Sequence, residues 1–113
     1  MKTIPLYIDE WDEEINLMVG QNKFENDHLI RTSQPHDLWF HLENLSGPHF
    51  VLKLSEFNQK IPKKYLNKVG GYFRDFKTGL SSNYHVIYTE IQNVTLTNEL
   101  GSVIPKKTKR IKF

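Results

Sequence analysis

Alternating hydrophobic and polar positions, the pattern of a half-buried β-strand, recur along this chain. In such a segment every second side chain enters a core and the others face away from it. Turn-forming residues separate the segments, as Gly20 does after the second and Gly47-Pro48 between the third and fourth. The predicted strands are residues 3–8, 14–19, 37–42, 49–54, 84–91, 94–96 and a last strand near 110–113.

A short helix is predicted over residues 22–33, after the second strand. Asn22 stands at its start and has the side chain of a good N-cap. Phe24, Leu29 and Ile30 are expected to be its apolar contacts with the core. The Gln34-Pro35-His36 segment that follows ends the helix.

A longer helix is predicted over residues 62–78, where large apolar side chains recur at helical spacing. Pro62 fits its first position, because the missing N–H costs nothing there, and Gly79 lies where a C-terminal cap belongs. Gly70 and Gly71 weaken this helix by about 2 kcal/mol relative to alanine, so close packing or another interaction must hold it.

These elements predict one α+β domain over residues 1–113, with a mostly antiparallel (mixed) sheet of five to seven strands and two helices. A chain of 113 residues fits one domain and can bury a modest core. Without cysteine it has no disulfide framework and no thiol nucleophile. Because no signal peptide and no run of 18 apolar residues is present, a cytoplasmic location without membrane insertion is expected.

Charge is distributed unevenly, although the formal net charge is only +2. Residues 1–14 hold one lysine against five acids, whereas residues 53–77 hold seven cations against two acids. Residues 104–113 hold five cations and no acid. Such asymmetry is typical of a protein that meets a polyanion on one surface. Solvated helix faces and a solvated tail would give the same pattern.

The densest candidate chemistry lies in residues 37–50, where two predicted strands form a hairpin. The side chains that alternation places in the core are Leu38, Phe40 and Leu42. The opposite face, expected to be exposed or half-covered, would carry Asp37, Trp39, His41 and, from the returning strand, His49.

Besides nucleic-acid binding, this face could serve catalysis, metal binding or protein docking, or have a structural role only. Catalysis lacks a nucleophile, since Ser46 is the only nearby hydroxyl and has no nucleophile-elbow sequence. A metal site would use His36, Asp37, His41 and His49, but the strand lacks a His-x-His spacing and no cysteine supports it. The face could also dock a protein. The structural role would be a hairpin in which Asp37 hydrogen-bonds His41 while Trp39 packs beneath the basic helix.

Nucleic-acid binding is the function that the pattern favours most. It needs rings that stack on bases, amides that read base edges and cations that contact phosphates. The predicted RNA-binding residues are Asn22, Asn26, Asp37, Trp39, His41, His49, Lys53, Lys63, Lys64 and Lys68. No catalytic residue, metal ligand or cofactor is predicted, and oligomeric state is left open.

Several of these residues form an ordered pattern that resembles the NFACT-R domain. The pattern, matching about residues 14–113, is Gly20-x-Asn22-x-x-x-Asn26, Asp37-x-Trp39-x-His41, Gly47-x-His49, Val86-x-Tyr88-Thr89, Val94 and Gly101-x-Val103. The resemblance implies a non-catalytic RNA-binding module of the kind found in ribosome-associated quality-control factors, which engage the large ribosomal subunit and tRNA.

The chain also departs from the family pattern. Gln21 replaces a usual arginine, and Gln92, Thr95 and Leu96 stand where the family tends to place lysines. Fewer phosphate contacts are therefore expected there, and the RNA surface could move toward the basic segment 53–77 and the C-terminal cations.

Overall fold

The structure, a computed structural model, describes all residues from 1 to 113. Eight strands and three helices make up the fold, together with two short 3₁₀ turns. The strands are β1 (Lys2–Ile8), β2 (Glu13–Gly20), β3 (Leu38–Leu42), β4 (His49–Leu52), β5 (His85–Glu90), β6 (Val94–Leu96), β7 (Val103–Pro105) and β8 (Lys109–Lys112). The helices are α1 (Lys23–Thr32), α2 (Lys63–Gly71) and α3 (Phe73–Phe76).

Six strands pair into one antiparallel sheet in the order β1-β2-β4-β3-β5-β8, and β6 and β7 pair into a separate ribbon. The chain forms one body of 38 × 31 × 26 Å. The predicted α+β fold with a mostly antiparallel sheet is therefore confirmed. The longest helix, α1, has ten residues, and no helix of the chain is long and apolar enough to cross a membrane.

Both faces of the sheet are covered, each by a different part of the chain. On one face, Phe40 and Phe50 pack with Val69 of α2 and Phe73 of α3 in a cluster of 17 buried residues. The Phe50 and Phe73 rings stack with their centroids 3.9 Å apart. Because the apolar stripe of α2 faces this cluster, the basic side chains of the helix point to solvent.

On the other face, Trp39 and Val51 pack with Leu29 and Ile30 of α1 and with Ile91. The ribbon extends this cover through its partly buried side chains Val94, Leu96 and Val103. The predicted alternation in β3 is thus confirmed, since Phe40 and Trp39 belong to different clusters. The alternative in which Trp39 packs beneath the basic helix is wrong in that detail, because α1 covers Trp39 and α2 lies on the opposite face of the sheet.

Two helix predictions and one strand prediction differ from the structure. The helix predicted over 62–78 is interrupted at Tyr72, whose N–H donates to the carbonyl of Val69, three residues back, as in a 3₁₀ turn. Phe24 is not a core contact, because 65% of it is exposed. Strand β7 was not predicted, since three residues are too few to show a period.

Close packing explains Gly70 in the middle of α2. A Cβ at Gly70 would lie 2.4 Å from the ring of Phe113, which stacks on Tyr84. The Tyr84 hydroxyl donates to the Gly70 carbonyl oxygen over 3.0 Å. At Gly71, by contrast, the nearest atom to a Cβ would be a flexible Arg74 nitrogen at 3.7 Å.

Replacement by alanine should therefore change the stability of the protein differently at the two glycines. Gly70→Ala is expected to lower the free energy of unfolding by about 1–3 kcal/mol, because overpacking displaces the Phe113 ring. Gly71→Ala is expected to be neutral or to raise it by up to about 1 kcal/mol through helix propensity. Urea denaturation of both variants checks this, and a Gly70→Ala protein as stable as Gly71→Ala would contradict it.

Candidate functional site

A cleft of about 940 Å³ opens at the end of the sheet where β2 finishes and β4 begins. Four segments surround it: the first turn of α1, the loop between β3 and β4, the residues after α3 and the loop between β6 and β7. The side chains that define its walls include Asn22, Asn26, Trp39, His41, His49, Lys23, Lys77 and Ser102. Five of these eight are predicted RNA-binding residues.

The start of α1 forms one wall, and its geometry follows from local sequence. Asn22 caps the helix as predicted, with its side-chain oxygen accepting from the N–H of Glu25 over 2.9 Å. The Glu25 carboxylate in turn accepts from the N–H of Gln21 over 3.0 Å. These bonds satisfy N–H groups that would otherwise lack partners and fix the direction in which α1 leaves the sheet.

Two glycines allow backbone segments to approach this helix closely. A Cβ on Gly20 would lie 2.4 Å from the Asn26 side-chain oxygen, so only glycine leaves room for that amide. Gly101 has φ +76, and a Cβ there would lie 2.8 Å from the carbonyl oxygen of Lys23. The loop between β6 and β7 is thereby pressed against the first turn of α1, and both become walls of the cleft.

A chain of hydrogen bonds runs from the covered face of the sheet into the cleft. The indole N–H of Trp39 donates to Nδ1 of His49 over 3.1 Å. The backbone N–H of His49 donates to the side-chain oxygen of Asn26 over 3.3 Å. Because an indole N–H and a backbone N–H can only donate, Nδ1 of His49 and the oxygen of Asn26 must be the acceptors. Nε2 of His49 and the amide nitrogen of Asn26 are therefore the atoms left for a ligand.

His41 joins Trp39, His49 and Asn26 to form the floor of the cleft. Its ring stacks on the Trp39 indole with centroids 5.7 Å apart and planes 2° from parallel. It also meets the edge of the His49 ring at 4.7 Å. Its Nδ1 lies 2.7 Å from the Leu42 carbonyl oxygen, and since a carbonyl can only accept, Nδ1 carries a proton.

Burial keeps both imidazoles neutral at pH 7. Burial lowers the pKa of His49 to about 3, and the neighbouring His41 adds to the effect. The pKa of His41 is also lowered, mainly by burial and further by Lys77, although the Leu42 and Gly47 carbonyls oppose the change. The floor of the cleft is therefore polar but uncharged.

Positive charge lies at the rim instead. Lys23 and Lys77 are the only charged side chains among the 21 residues that line the cleft, and no carboxylate is among them. Neither lysine was predicted as a site residue. A signal was present in both cases, since Lys23 follows Asn22 of the family pattern and Lys77 closes the basic segment 53–77.

Asp37 and Trp39 do not lie on an exposed or half-covered face as predicted, since each is only 1% exposed. Asp37 does not bond His41. Its carboxylate accepts from the backbone N–H of Gln34 over 2.8 Å and of Ser55 over 3.0 Å. Lys53 lies 3.4 Å from it, so this predicted cation is already paired. These bonds tie the start of β3 to the residues after β4, and Trp39 has no free ring face for a base.

The predicted lysines of α2 lie away from the cleft. Lys63, Lys64 and Lys68 are exposed on the helix that covers the opposite face of the sheet. Lys64 pairs with Glu10 at 3.2 Å. A role for these lysines in RNA binding stays a prediction, but they cannot contact the ligand of the cleft floor.

The histidines do not assemble into a ligand set. His36 is exposed and its Nδ1 lies 2.8 Å from the Glu90 carboxylate, away from His41 and His49. The structure contains no group of three or more His, Asp or Glu side chains placed to hold a metal ion.

Comparison with known proteins shows that these residues lie within a domain of a known family. A family model described as "NFACT protein RNA binding domain" matches residues 6–112. Coiled-coil domain-containing protein 25 of Bos taurus is 31% identical over 88 residues, covering 74% of this chain and 42% of that protein. Its Dictyostelium discoideum homologue is 29% identical over 114 residues, covering 96% and 55%. This chain therefore spans about half the length of these relatives.

More distant similarities extend to bacteria. The Rqc2 homologue RqcH of Bacillus subtilis is 29% identical over 85 residues, covering 74% of this chain and 14% of that protein. The solved C-terminal region of a fibronectin/fibrinogen-binding protein from Streptococcus suis superposes with a TM-score of 0.73. The superposition covers 99% of this chain and 45% of the Streptococcus suis chain, with 21% sequence identity. It therefore shows a shared fold.

Removal of the indole donor should destabilise the protein. Trp39→Phe leaves Nδ1 of the buried His49 without its partner, so the free energy of unfolding is expected to fall by about 1–3 kcal/mol. Trp11→Phe is the matched control, because Trp11 is only partly buried and stacks on Phe57, a contact that phenylalanine can keep. Urea denaturation measures both, and equal effects of the two changes would contradict the proposed bond.

Acid should destabilise the protein through His49. The pKa of His49 is about 3 in the folded protein and about 6.5 in the unfolded chain. Between these values the unfolded state binds more protons, so the free energy of unfolding decreases as the pH is lowered. At about pH 5 this effect is expected to reach about 2 kcal/mol relative to about pH 7.5. His49→Gln should remove that part of the loss in urea denaturation, while His28→Gln, on the exposed side of α1, should keep it. A His49→Gln protein with the unchanged pH dependence would refute the assignment.

Proposed function

This chain belongs to the NFACT RNA-binding domain family, and from that premise we propose that it is a non-catalytic RNA-binding module whose RNA site is the cleft. The observation that carries the proposal is that predicted RNA-binding residues from separate elements lie together in one cleft. Asn22, Asn26, His41 and His49 come from three separate elements of the chain, yet their side chains line one cleft. Folding brings them together at the end of the sheet where α1, the loop between β3 and β4 and the loop between β6 and β7 meet.

Electrostatics support the same site. A polyanion needs cations without competing carboxylates, and the cleft offers Lys23 and Lys77 with no acid in its lining. The exposed cations Lys106, Lys107 and Lys109 lie farther along the chain, around the start of β8. They would extend the phosphate contacts without sequence preference.

The relatives support a proposal about the biological context. Similarity to RqcH supports a role in ribosome-associated quality control. Within that role we propose rRNA or tRNA as the bound RNA and the large ribosomal subunit as the larger partner, as the family resemblance implies. With this role we propose a cytoplasmic location. The alternative of a protein-docking face formed by Asp37, Trp39 and His41 is less well supported, because Asp37 and Trp39 are each only 1% exposed.

Binding to RNA should depend on salt and on the cleft lysines. Filter binding with total tRNA is expected to weaken steeply between about 50 mM and about 200 mM salt. Lys23→Glu/Lys77→Glu should weaken binding by about tenfold or more. Lys63→Glu/Lys68→Glu changes the net charge by the same amount on the opposite side of the sheet, and it should weaken binding less.

Two results would refute this proposal. Binding that is absent at low salt would exclude tRNA as a ligand, and loss confined to the Lys63/Lys68 variant would move the RNA surface from the cleft to α2. Co-sedimentation with ribosomes before and after nuclease treatment tests the ribosomal context. Sedimentation that survives complete nuclease digestion would indicate a protein partner instead.

A further inference from the structure

Phe24 is the most exposed large hydrophobic side chain of the chain, at 65%. It lies in the first turn of α1, whose packing contacts come from Leu29 and Ile30 instead. A single exposed apolar residue is ordinary by itself. Phe24 differs in its position, because Lys23, the cleft lysine, holds its amine 5.4 Å from the centre of the Phe24 ring. An exposed aromatic ring thus lies beside a cation that lines the cleft.

The floor of the cleft is suited to an uncharged ligand. Nε2 of His49 and the amide nitrogen of Asn26 make no hydrogen bond within the protein, and both residues line the cleft. With Nδ1 of His49 accepting from Trp39, its Nε2 carries the proton, so both free groups are N–H donors. Carbonyl oxygens and ring nitrogens of a nucleobase are acceptors of the kind that such donors bind.

A phosphate group fits the floor less well than a base. The two imidazoles are neutral because burial disfavours their charged forms, so no cation lies beneath the ligand. The lysines that can neutralise phosphate stand at the rim. This arrangement of neutral donors below and cations above matches a nucleotide whose base points inward and whose backbone stays outside.

We infer that the cleft receives a single unpaired RNA base, held by Asn26 and His49, while Phe24 stacks on a neighbouring base. This inference rests on the proposed function and specifies its ligand. A base inside a duplex cannot reach the floor, because its pairing edge is engaged and its faces are stacked on adjacent pairs. The preferred ligand is therefore single-stranded RNA, or a loop or end with unstacked bases. Phe24 is its stacking residue.

Fluorescence anisotropy with two labelled RNAs tests this. One probe is an unstructured single strand of about twelve nucleotides, and the other is the same strand annealed to its complement. The single strand is expected to bind about tenfold more tightly. Phe24→Leu should weaken single-strand binding by about tenfold and leave duplex binding unchanged, whereas Phe24→Trp should preserve both. Tyr7→Leu, which removes another exposed ring from the far end of β1, should have no effect.

The floor is tested separately by NMR of the ¹⁵N-labelled protein. The side-chain amide signals of Asn26 should shift on addition of the single strand and stay in place with the duplex. Equal affinity for both RNAs, or a Phe24→Leu protein that binds like the wild type, would overturn the inference while leaving RNA binding intact. Failure to bind either RNA at low salt would overturn the proposed function as well.

Discussion

The burial of β4 on both of its faces is the constraint on which the rest of this structure depends. All four residues of this central strand are buried, with Phe50 and Leu52 on one side and His49 and Val51 on the other. A sheet with such a strand needs cover on both faces, so α2 and α3 pack on one face, and α1 and the ribbon pack on the other. That second layer gives the cleft most of its walls.

His49 is the residue at which this packing and the site meet. A buried imidazole must have hydrogen-bond partners, and Trp39 supplies one from the neighbouring strand. Its backbone N–H is satisfied by Asn26, which reaches the strand only because Gly20 has no side chain. The same bonds that stabilise the fold leave Nε2 of His49 and the amide of Asn26 as donors toward the cleft. Structural and binding roles are therefore divided between atoms of the same side chains.

The family pattern acquires a physical meaning from this geometry. Gly20, Asn26, Trp39 and His49 form one connected unit, and Gly101 presses a second loop against it. Asp37 belongs to a separate structural contact that ties β3 to the segment after β4. Asn26 and His49, side chains of this unit that line the cleft, are uncharged.

Local patterns in the sequence determined the α+β class, seven of the eight strands, the Asn22 cap and the division of β3 into two faces. They could do so because strand alternation and helix capping depend on residues close together in the chain. Only the tertiary structure decided that α1 rather than the basic helix covers Trp39, that Phe24 faces solvent and that Lys23 and Lys77 share a cleft. These outcomes depend on which segment packs on which face of the sheet, and that choice is made by contacts between residues far apart in sequence.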